Sequence, residues 1–346
     1  MSLPNKTESK KTKKVLIIVL SVLLAIVLIS ATVIFALYLK GKSSLNKTEE
    51  IDIIPPEDVS DAETIDDGST VTYKGEKYVF NENCFSLLLM GVDKYSFDDN
   101  EGIGYNGQAD AVYLAVLDTE SSSVSLLSVS RDSMVDVNTY SHQGGYMGTE
   151  KMQLCLAYAY GDGKELSCEN VSRSVSRLLC NIPINSYIAL DFEAIPVIND
   201  SVGGVTVPEY TDDGLTPTGK TVTLNGQQAV RYLRWRWLPE LTSNNSRIER
   251  QKNFMSAFAK SAVEKTRSDM TFPLRLFNDI QDYTVTDLTP SQITYLAANY
   301  LTGAENMTML SLEGTIEKVD SHAQFTPDST ALFETVLKLF YKKADN

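Results

Sequence analysis

Arginine dominates one stretch of the chain, 225–254, NGQQAVRYLRWRWLPELTSNNSRIERQKNF. It holds Arg231, Arg234, Arg236, Arg247 and Arg250, followed by Gln251. Five permanent positive charges in so short a span repel one another on a bare surface. A planar guanidinium fork suits bidentate contact with phosphate. The ordinary reading of such side chains is surface charge paired with Glu240 and Glu249. The density of the cluster favours a polyanion site. Asn245 or Ser246 is placed to cap a helix whose apolar spacing is set by Ile248, Phe254, Met255 and Phe258. Arg247, Arg250 and Gln251 then fall at i, i+3 and i+4 in its first turns. There the backbone N–H groups and the positive end of the helix dipole also favour phosphate.

Carboxylates stand at the ends of three apolar runs. CFSLLLMGVD ends in Asp93, Asp110 opens AVYLAVLD, and VSLLSVSRD closes on Arg131 and Asp132. Continuous apolar runs of this length read as buried strands. Asp93 and Asp110 at neighbouring strand tips supply the oxygen ligands of a hard divalent cation, with room for water and phosphate oxygens. The competing role is turn capping, a common use of Asp. The loop DKYSFDDNEGIG lacks the spacing and the closing Glu of a calcium-binding EF-hand.

The elements that must position these residues follow in order. VTYKGEKYVF, 71–80, reads as a hairpin around Gly75. KMQLCLAYAYG reads as a helix stopped by Gly161, and SCENVSRSVSRLLC as a helix capped by Ser167. INSYIALDF reads as a strand, FEAIPVINDSVGGV as a helix ending at Gly203–Gly204, and TVPEY as a strand. After the arginine segment come the helix SQITYLAANYL, the strand MTMLSL and the helix DSTALFETVLKLFYKK. Strands interleaved with helices predict a layered α/β body with a central mixed sheet.

Charge is unevenly spread. The 346-residue chain carries a formal −14. Residues 1–47 hold eight Lys and one Glu, about +7, so the rest carries about −21. A body that acidic lacks the broad basic face of a nucleic-acid binder. A local basic island in it points to a small phosphate-bearing ligand. Cys84, Cys155, Cys168 and Cys180 form no C-x-x-C pair, and His142 and His322 lie far apart, which excludes a standard zinc site. Cys155 and Cys168 are open to two readings, a disulfide or buried free thiols.

Residues 1–14 read as a cytoplasmic tail. The run 15–39, VLIIVLSVLLAIVLISATVIFALYL, holds no charge and is long enough to cross a hydrocarbon core. It lacks a cleavage site, so it reads as a retained signal anchor. Lys6, Lys10, Lys11, Lys13 and Lys14 precede it, and the lesser charge of Lys40, Lys42 and Lys47 follows. The N-terminus is therefore expected inside and the body outside the cell. Residues 40–70 are acidic, contain Pro55–Pro56, and read as a flexible linker. The folded body is expected over 71–346.

With these residues assembled, the chain resembles the LytR–CpsA–Psr family of bacterial envelope proteins. The resemblance is carried, behind an N-terminal anchor, by GVD (91–93), QAD (108–110), SRD (130–132), GGV (203–205), RWR (234–236) and RIERQ (247–251). LCLAYAYG and NGQQAVRYLR also look like the family. The likeness spans roughly 83–262, with 263–346 completing the domain. It implies a three-layer α/β/α fold outside the membrane and a cleft for a lipid tail. It also implies a ligase that moves a glycopolymer (teichoic acid, capsule or another wall polysaccharide) from a polyprenyl pyrophosphate to a peptidoglycan hydroxyl.

The resemblance places Asp93 and Asp110 on Mg²⁺, with Mn²⁺ an alternative. Arg131, Asp132, Arg234 and Arg236 become the catalytic set. Arg131, Arg234, Arg236, Arg247, Arg250, Gln251 and Gln108 become pyrophosphate ligands. Such chemistry rests on charge neutralisation more than on covalent participation. Asp132 either orients Arg131 or accepts the hydroxyl proton. Three positions depart from the family pattern. Gln108-Ala109-Asp110 replaces Arg-Ser-Asp, Asn244–Asn245 replaces an acidic residue, and Ser130 replaces proline. The missing arginine keeps two other readings open: a protein that only binds the lipid-linked polymer, and a pyrophosphate hydrolase acting on the same donor. A transcriptional role is disfavoured by the expected topology.

Overall fold

The computed structural model describes residues 34–45, 53–65, 68–99, 101–235, 243–320 and 322–344. Residues 34–45 form helix α1. Most of the expected membrane span, 15–39, lies outside the described residues, as does the tail 1–14. Among the described residues no helix is long and apolar enough to cross a membrane.

The segment expected as a flexible linker is partly built into the fold. Ile53 and Val59 are buried in the main core. Strand β1 (Ala62–Ile65) pairs antiparallel with β2 (Thr70–Tyr73). β2 turns at Lys74–Gly75 into β3 (Glu76–Phe80), the expected hairpin, and the chain's last strand, Tyr341–Lys343, closes this small sheet. The few apolar residues in the acidic stretch suffice because the sheet gives them partners.

The central sheet is mixed. β4 (Cys84–Val92), β5 (Ala109–Asp118) and β6 (Ser123–Val129) pair antiparallel in succession. Their side chains alternate between two cores, as strand geometry requires. Val112, Leu114 and Val116 face one, Tyr113, Ala115 and Leu117 the other. Strand β7 (Met134–Tyr140) leaves the sheet and forms a hairpin with β8 (Tyr146–Gln153). That hairpin claims Lys151–Gln153, so the helix expected over KMQLCLAYAYG shrinks to α2 (Leu156–Ala159). Helix α3 (Glu165–Leu178) begins before Ser167, whose Oγ instead accepts from the Gly163 N–H at 2.7 Å.

β9 (Ser186–Leu190) lies parallel to β4. Helix α4 (Ala194–Ser201) ends at Gly203–Gly204, and β10 (Thr206–Tyr210) pairs with β11 (Pro217–Thr223). Gly204 has φ +94°, and a Cβ there would lie 2.7 Å from the Leu224 carbonyl oxygen, so the turn needs glycine. Helix α5 (Gly226–Arg234) starts with a capping box in which Asn225 and Gln228 satisfy each other's backbone N–H. Helix α6 (Ser243–Ser268) starts ahead of the expected caps Asn245 and Ser246. Helix α7 (Phe272–Asp279) and β12 (Thr284–Thr286) lead to α8 (Pro290–Glu305), capped by Thr289. β13 (Thr308–Ser311) adds parallel to β6, β14 (Gly314–Val319) and β15 (His322–Pro327) form a hairpin, and α9 (Ser329–Phe340) follows.

The central order is β12-β9-β4-β5-β6-β13. Val171 and Val175 of α3 and Phe333 and Leu337 of α9 cover one face, while Tyr300 of α8 and Met255 of α6 pack against the other. This is the expected α/β layering around a mixed sheet. All four cysteines are free thiols.

Candidate functional site

β4 and β6 run the same way and β5 runs against them, so Asp93, Asp110, Arg131 and Asp132 meet at one edge of the sheet. The edge owes its aim to a bulge. Gly91 pairs with Ala111 and Val92 with Ala109, leaving Asp110 as the extra residue. A bulge re-aims a side chain. Asp110 thereby reaches α6, although Val112, two residues on, faces the α3 side.

Asp110 is held between two guanidiniums. One carboxylate oxygen accepts from Arg131 Nη1, and the other lies 3.4 Å from Arg247 Nη1. Arg131 Nη2 also donates to Gln108 Oε1 at 2.8 Å and to Cys155 Sγ at 3.2 Å, and its Nε lies 3.5 Å from Asp132 Oδ1. Gln108 therefore serves as an acceptor that holds Arg131. Asp132 thus lies beside Arg131, a contact that either of its expected roles allows. Gln153 Nε2 donates to Asp132 Oδ1 at 3.2 Å and to the Ala323 carbonyl at 2.6 Å, tying the pair to β15.

Asp93 accepts from the Gln108 N–H. Burial pushes its carboxyl above the usual range, opposed by that N–H and by the nearby charges of Arg131 and Arg234. Burial also raises the Cys155 thiol, opposed by Arg131. Among the described residues no group of three or more His, Cys, Asp or Glu is placed to hold a metal ion.

The arginine segment divides. Arg247 and Gln251, four residues apart, both face the sheet, and Gln251 Oε1 accepts from the Tyr113 hydroxyl at 3.0 Å. Arg250 is turned away from that edge and is 2% exposed. Its Nε donates to the Tyr232 carbonyl at 2.8 Å, and its Nη atoms donate to the carbonyls of Gly214 and Trp235. Arg250 thus staples α6 to α5 and to the β10–β11 turn, which corrects its expected place among the phosphate ligands. The reason is helical: a three-residue step rotates the side chain away from Arg247, while a four-residue step nearly restores its direction. Burial lowers the Arg250 pKa.

Arg234 is exposed and pre-oriented. Its guanidinium carbon lies 3.6 Å from the centre of the Phe192 ring, and Nη1 donates to the Tyr95 hydroxyl at 2.9 Å. Stacking occupies the face of the fork and leaves its edge for an anion. Arg231 lies over Trp235 instead, 5.1 Å from the ring centre. Arg236 lies outside the described residues.

Tyr95, Phe192, Cys155, Gln153 and Asp191 were not singled out in the sequence as site residues. Asp191 sits at the tip of β9, the strand next to β4. Its Oδ1 caps α4 by accepting from the N–H groups of Glu193 and Ala194, while Oδ2 has no hydrogen-bond partner among the described residues. Burial pushes its carboxyl up to about 6. The end of INSYIALDF could have flagged Asp191 and Phe192, since strand tips gather sites in layered α/β folds. No sequence signal marks Tyr95, Cys155 or Gln153.

Fold and site together define a mixed α/β protein with an arginine-rich, carboxylate-bearing edge on its central sheet. The chain belongs to the LytR–CpsA–Psr family, whose sequence pattern matches residues 54–340. It is similar to an Enterococcus faecalis protein named polyisoprenyl-teichoic acid–peptidoglycan teichoic acid transferase TagU, at 24% identity over 308 residues, which covers 88% of this chain and 89% of that one. Among solved structures, a Streptococcus agalactiae protein aligns with a TM-score of 0.60 at 19% identity, over 76% of this chain and 90% of that one. A structure of TagT bound to LI-WTA aligns with a TM-score of 0.54 at 20% identity, over 74% and 89%.

Proposed function

We propose that this protein transfers a wall glycopolymer, teichoic acid being the first candidate, from a polyprenyl pyrophosphate carrier to a sugar hydroxyl of peptidoglycan. The hydroxyl oxygen attacks the phosphorus that bears the polymer, the bond to the bridging oxygen breaks, and polyprenyl phosphate leaves. The product is a phosphodiester. The single observation that carries this reading is Asp110 held between Arg131 and Arg247 at the sheet edge. There an arriving pyrophosphate would exchange places with a carboxylate on forks already aimed. The transferase names of relatives across most of the chain's length support the substrate class.

The residues divide the work. Arg131, Arg247 and Arg234 bind and neutralise phosphate oxygens, and the charge they oppose grows at the leaving oxygen. Gln108 and Cys155 keep the Arg131 fork in plane. Asp132, beside Arg131, orients that fork or receives the hydroxyl proton. Asp93 and Asp110 would hold Mg²⁺, or Mn²⁺, and a cation beside Asp93 would offset what its burial costs. Bound there, the ion would supply Lewis-acid neutralisation of the pyrophosphate. In this reading the uncharged run 15–39 anchors the protein, and the greater lysine charge before it than after it supports an N-terminus inside and a body outside a bacterial membrane.

A second reading, binding without transfer, is favoured by Gln108, which spends its acceptor on Arg131. One experiment separates them. The full chain in nanodiscs is incubated with a synthetic polyprenyl-pyrophosphate sugar, a peptidoglycan oligomer and Mg²⁺. The transferase reading expects a phosphodiester-linked product that falls by about 10²-fold or more in Arg131→Ala and Asp110→Ala. Retained donor with no product supports the binding reading. Free sugar phosphate without linkage identifies a hydrolase.

A further inference from the structure

The edge of the central sheet opposite the phosphate site holds a cavity of its own. β4 begins there at Cys84, which pairs with Asp118 at the end of β5. Asp110 and Thr119 bound the length of β5, so about 30 Å of strand separates the two edges. The cavity measures about 580 Å³, a size common among small-ligand sites. α1, the turn from β3 into β4, and α8 enclose it. On α8, Tyr295, Leu296, Asn299 and Tyr300 follow helical spacing and share the face that lines it. α1 is held against α8 by Tyr38, whose ring packs on Tyr295 with centres 5.2 Å apart. Gly41 permits the approach, because a Cβ there would run into the Ser291 carbonyl.

The polar groups of the wall are fixed at one end and open at the other. Asn185 Oδ1 accepts from the Ser86 N–H at 2.7 Å, and its Nδ2 has no hydrogen-bond partner among the described residues. Asn299 is the converse. Its Nδ2 donates to the Tyr295 carbonyl at 2.7 Å, and its Oδ1 has no hydrogen-bond partner among the described residues. Tyr300 is 4% exposed, and its hydroxyl also lacks a partner among the described residues. Burial holds that hydroxyl in its protonated, donating form. Buried polar groups in folded proteins nearly always find partners, so an orphaned one calls for an explanation.

Charge and shape narrow the ligand. Among the described residues the lining holds one cation, Lys42, and one carboxylate, Glu82. Asp118 flanks Thr119 beside it. That balance gives no hold on a phosphate, unlike the arginine edge. A hydrocarbon chain would strip water from the amides and return no hydrogen bond. A sugar supplies hydroxyls that donate and accept, and apolar ring faces for the aromatic wall of Tyr38, Phe80 and Phe340. An acetamido substituent adds one N–H, one carbonyl and a methyl. These complement the Asn299 oxygen, the Asn185 amide nitrogen and the aromatic wall.

We propose that this cavity binds a neutral, N-acetylated saccharide at a site separate from the phosphate edge. The same sugar chemistry occurs in wall glycan strands and in sugars of a carried polymer. The assignment does not depend on the transfer reading.

The test uses the full chain in nanodiscs with an N-acetylglucosamine tetramer, its binding read by saturation-transfer NMR and calorimetry. Binding is expected, with the glucose tetramer weaker by about tenfold. Asn299→Ala and Tyr300→Phe should each weaken binding by about threefold to tenfold. Tyr300→Phe removes a hydroxyl that has no partner in the free protein, so its melting temperature should not fall. Arg131→Ala, at the other edge, should bind the tetramer as wild type does. A tetramer alternating N-acetylglucosamine with N-acetylmuramic acid separates the sources. Comparable binding assigns the cavity to a wall strand, and its loss assigns an uncharged sugar of the polymer. Equal affinity for the glucose tetramer overturns the acetamido assignment. No saturation transfer from the N-acetylglucosamine tetramer overturns the site. Binding that Arg131→Ala abolishes, and that Asn299→Ala and Tyr300→Phe leave intact, belongs to the phosphate edge and overturns it equally. None of these results bears on product formation in the transfer assay, so the two readings fail separately.

Discussion

Two arginines of one cluster show how burial decides a side chain's job. Arg250 gives its donors to three backbone carbonyls inside the fold. Removing such a group leaves buried acceptors without partners. Arg250→Met is therefore expected to lower unfolding free energy by about 2–4 kcal/mol in denaturant titration. Arg234→Ala removes an exposed group stacked on Phe192, with an expected cost of under about 1 kcal/mol and a fall in transfer rate of about 10²-fold. Equal stability losses in the two variants would contradict this division. Asp191 gives a pH signature. Its carboxyl rises from the ordinary 3.8 to about 6 in the fold, so the folded state keeps its proton to higher pH than the unfolded chain does. Its contribution to stability is full below the lower value and is lost as pH rises through that window, by roughly 1–3 kcal/mol. Asp191→Asn should gain on wild type by that amount between pH 4 and pH 6, as followed by urea unfolding across pH. Parallel curves would rule out a buried, titrating Asp191.

At the scale of elements, the site depends on a few junctions. The Gly203–Gly204 turn lets β10 return against Leu224, and the Asn225 capping box then launches α5 toward Arg234. Gly204→Ala places a methyl against a carbonyl in a left-handed conformation. It is expected to cost about 1–3 kcal/mol by thermal unfolding. Asn225→Ala should cost about 1 kcal/mol by the same measurement. The Gly203–Gly204 turn was legible because its chemistry is local, whereas the expected caps Ser167, Asn245 and Ser246 all fall inside helices that start earlier. The helix expected over KMQLCLAYAYG is cut short because its first three residues are claimed by pairing with β7, a partner the segment does not announce. The bulge at Asp110 was illegible for the same reason: a register shift belongs to two strands at once.

For the whole molecule, the boundary of the body moves. A chain starting at Val71 would lose Ile53, Val59 and all of β1. Burying two such apolar side chains is worth about 1.5–3 kcal/mol each. A chain of residues 71–346 is therefore expected to unfold several kcal/mol more easily than one of residues 53–346. Equal midpoints would return the segment to the status of a linker.

The sequence by itself determined the family, the order of most strands and helices, and three strand-end carboxylates close to a run of arginines. These are matters of composition, periodicity and spacing along the chain. Only the tertiary structure decided which arginines meet the Asp110 carboxylate and which one holds the fold together. Arg247 and Arg250 are alike in sequence, but they point to different neighbours. One meets a carboxylate at the sheet edge, the other a set of carbonyls contributed by α5 and the β10–β11 turn. A side chain's function follows from what surrounds it, and the surroundings here come from segments distant in the chain.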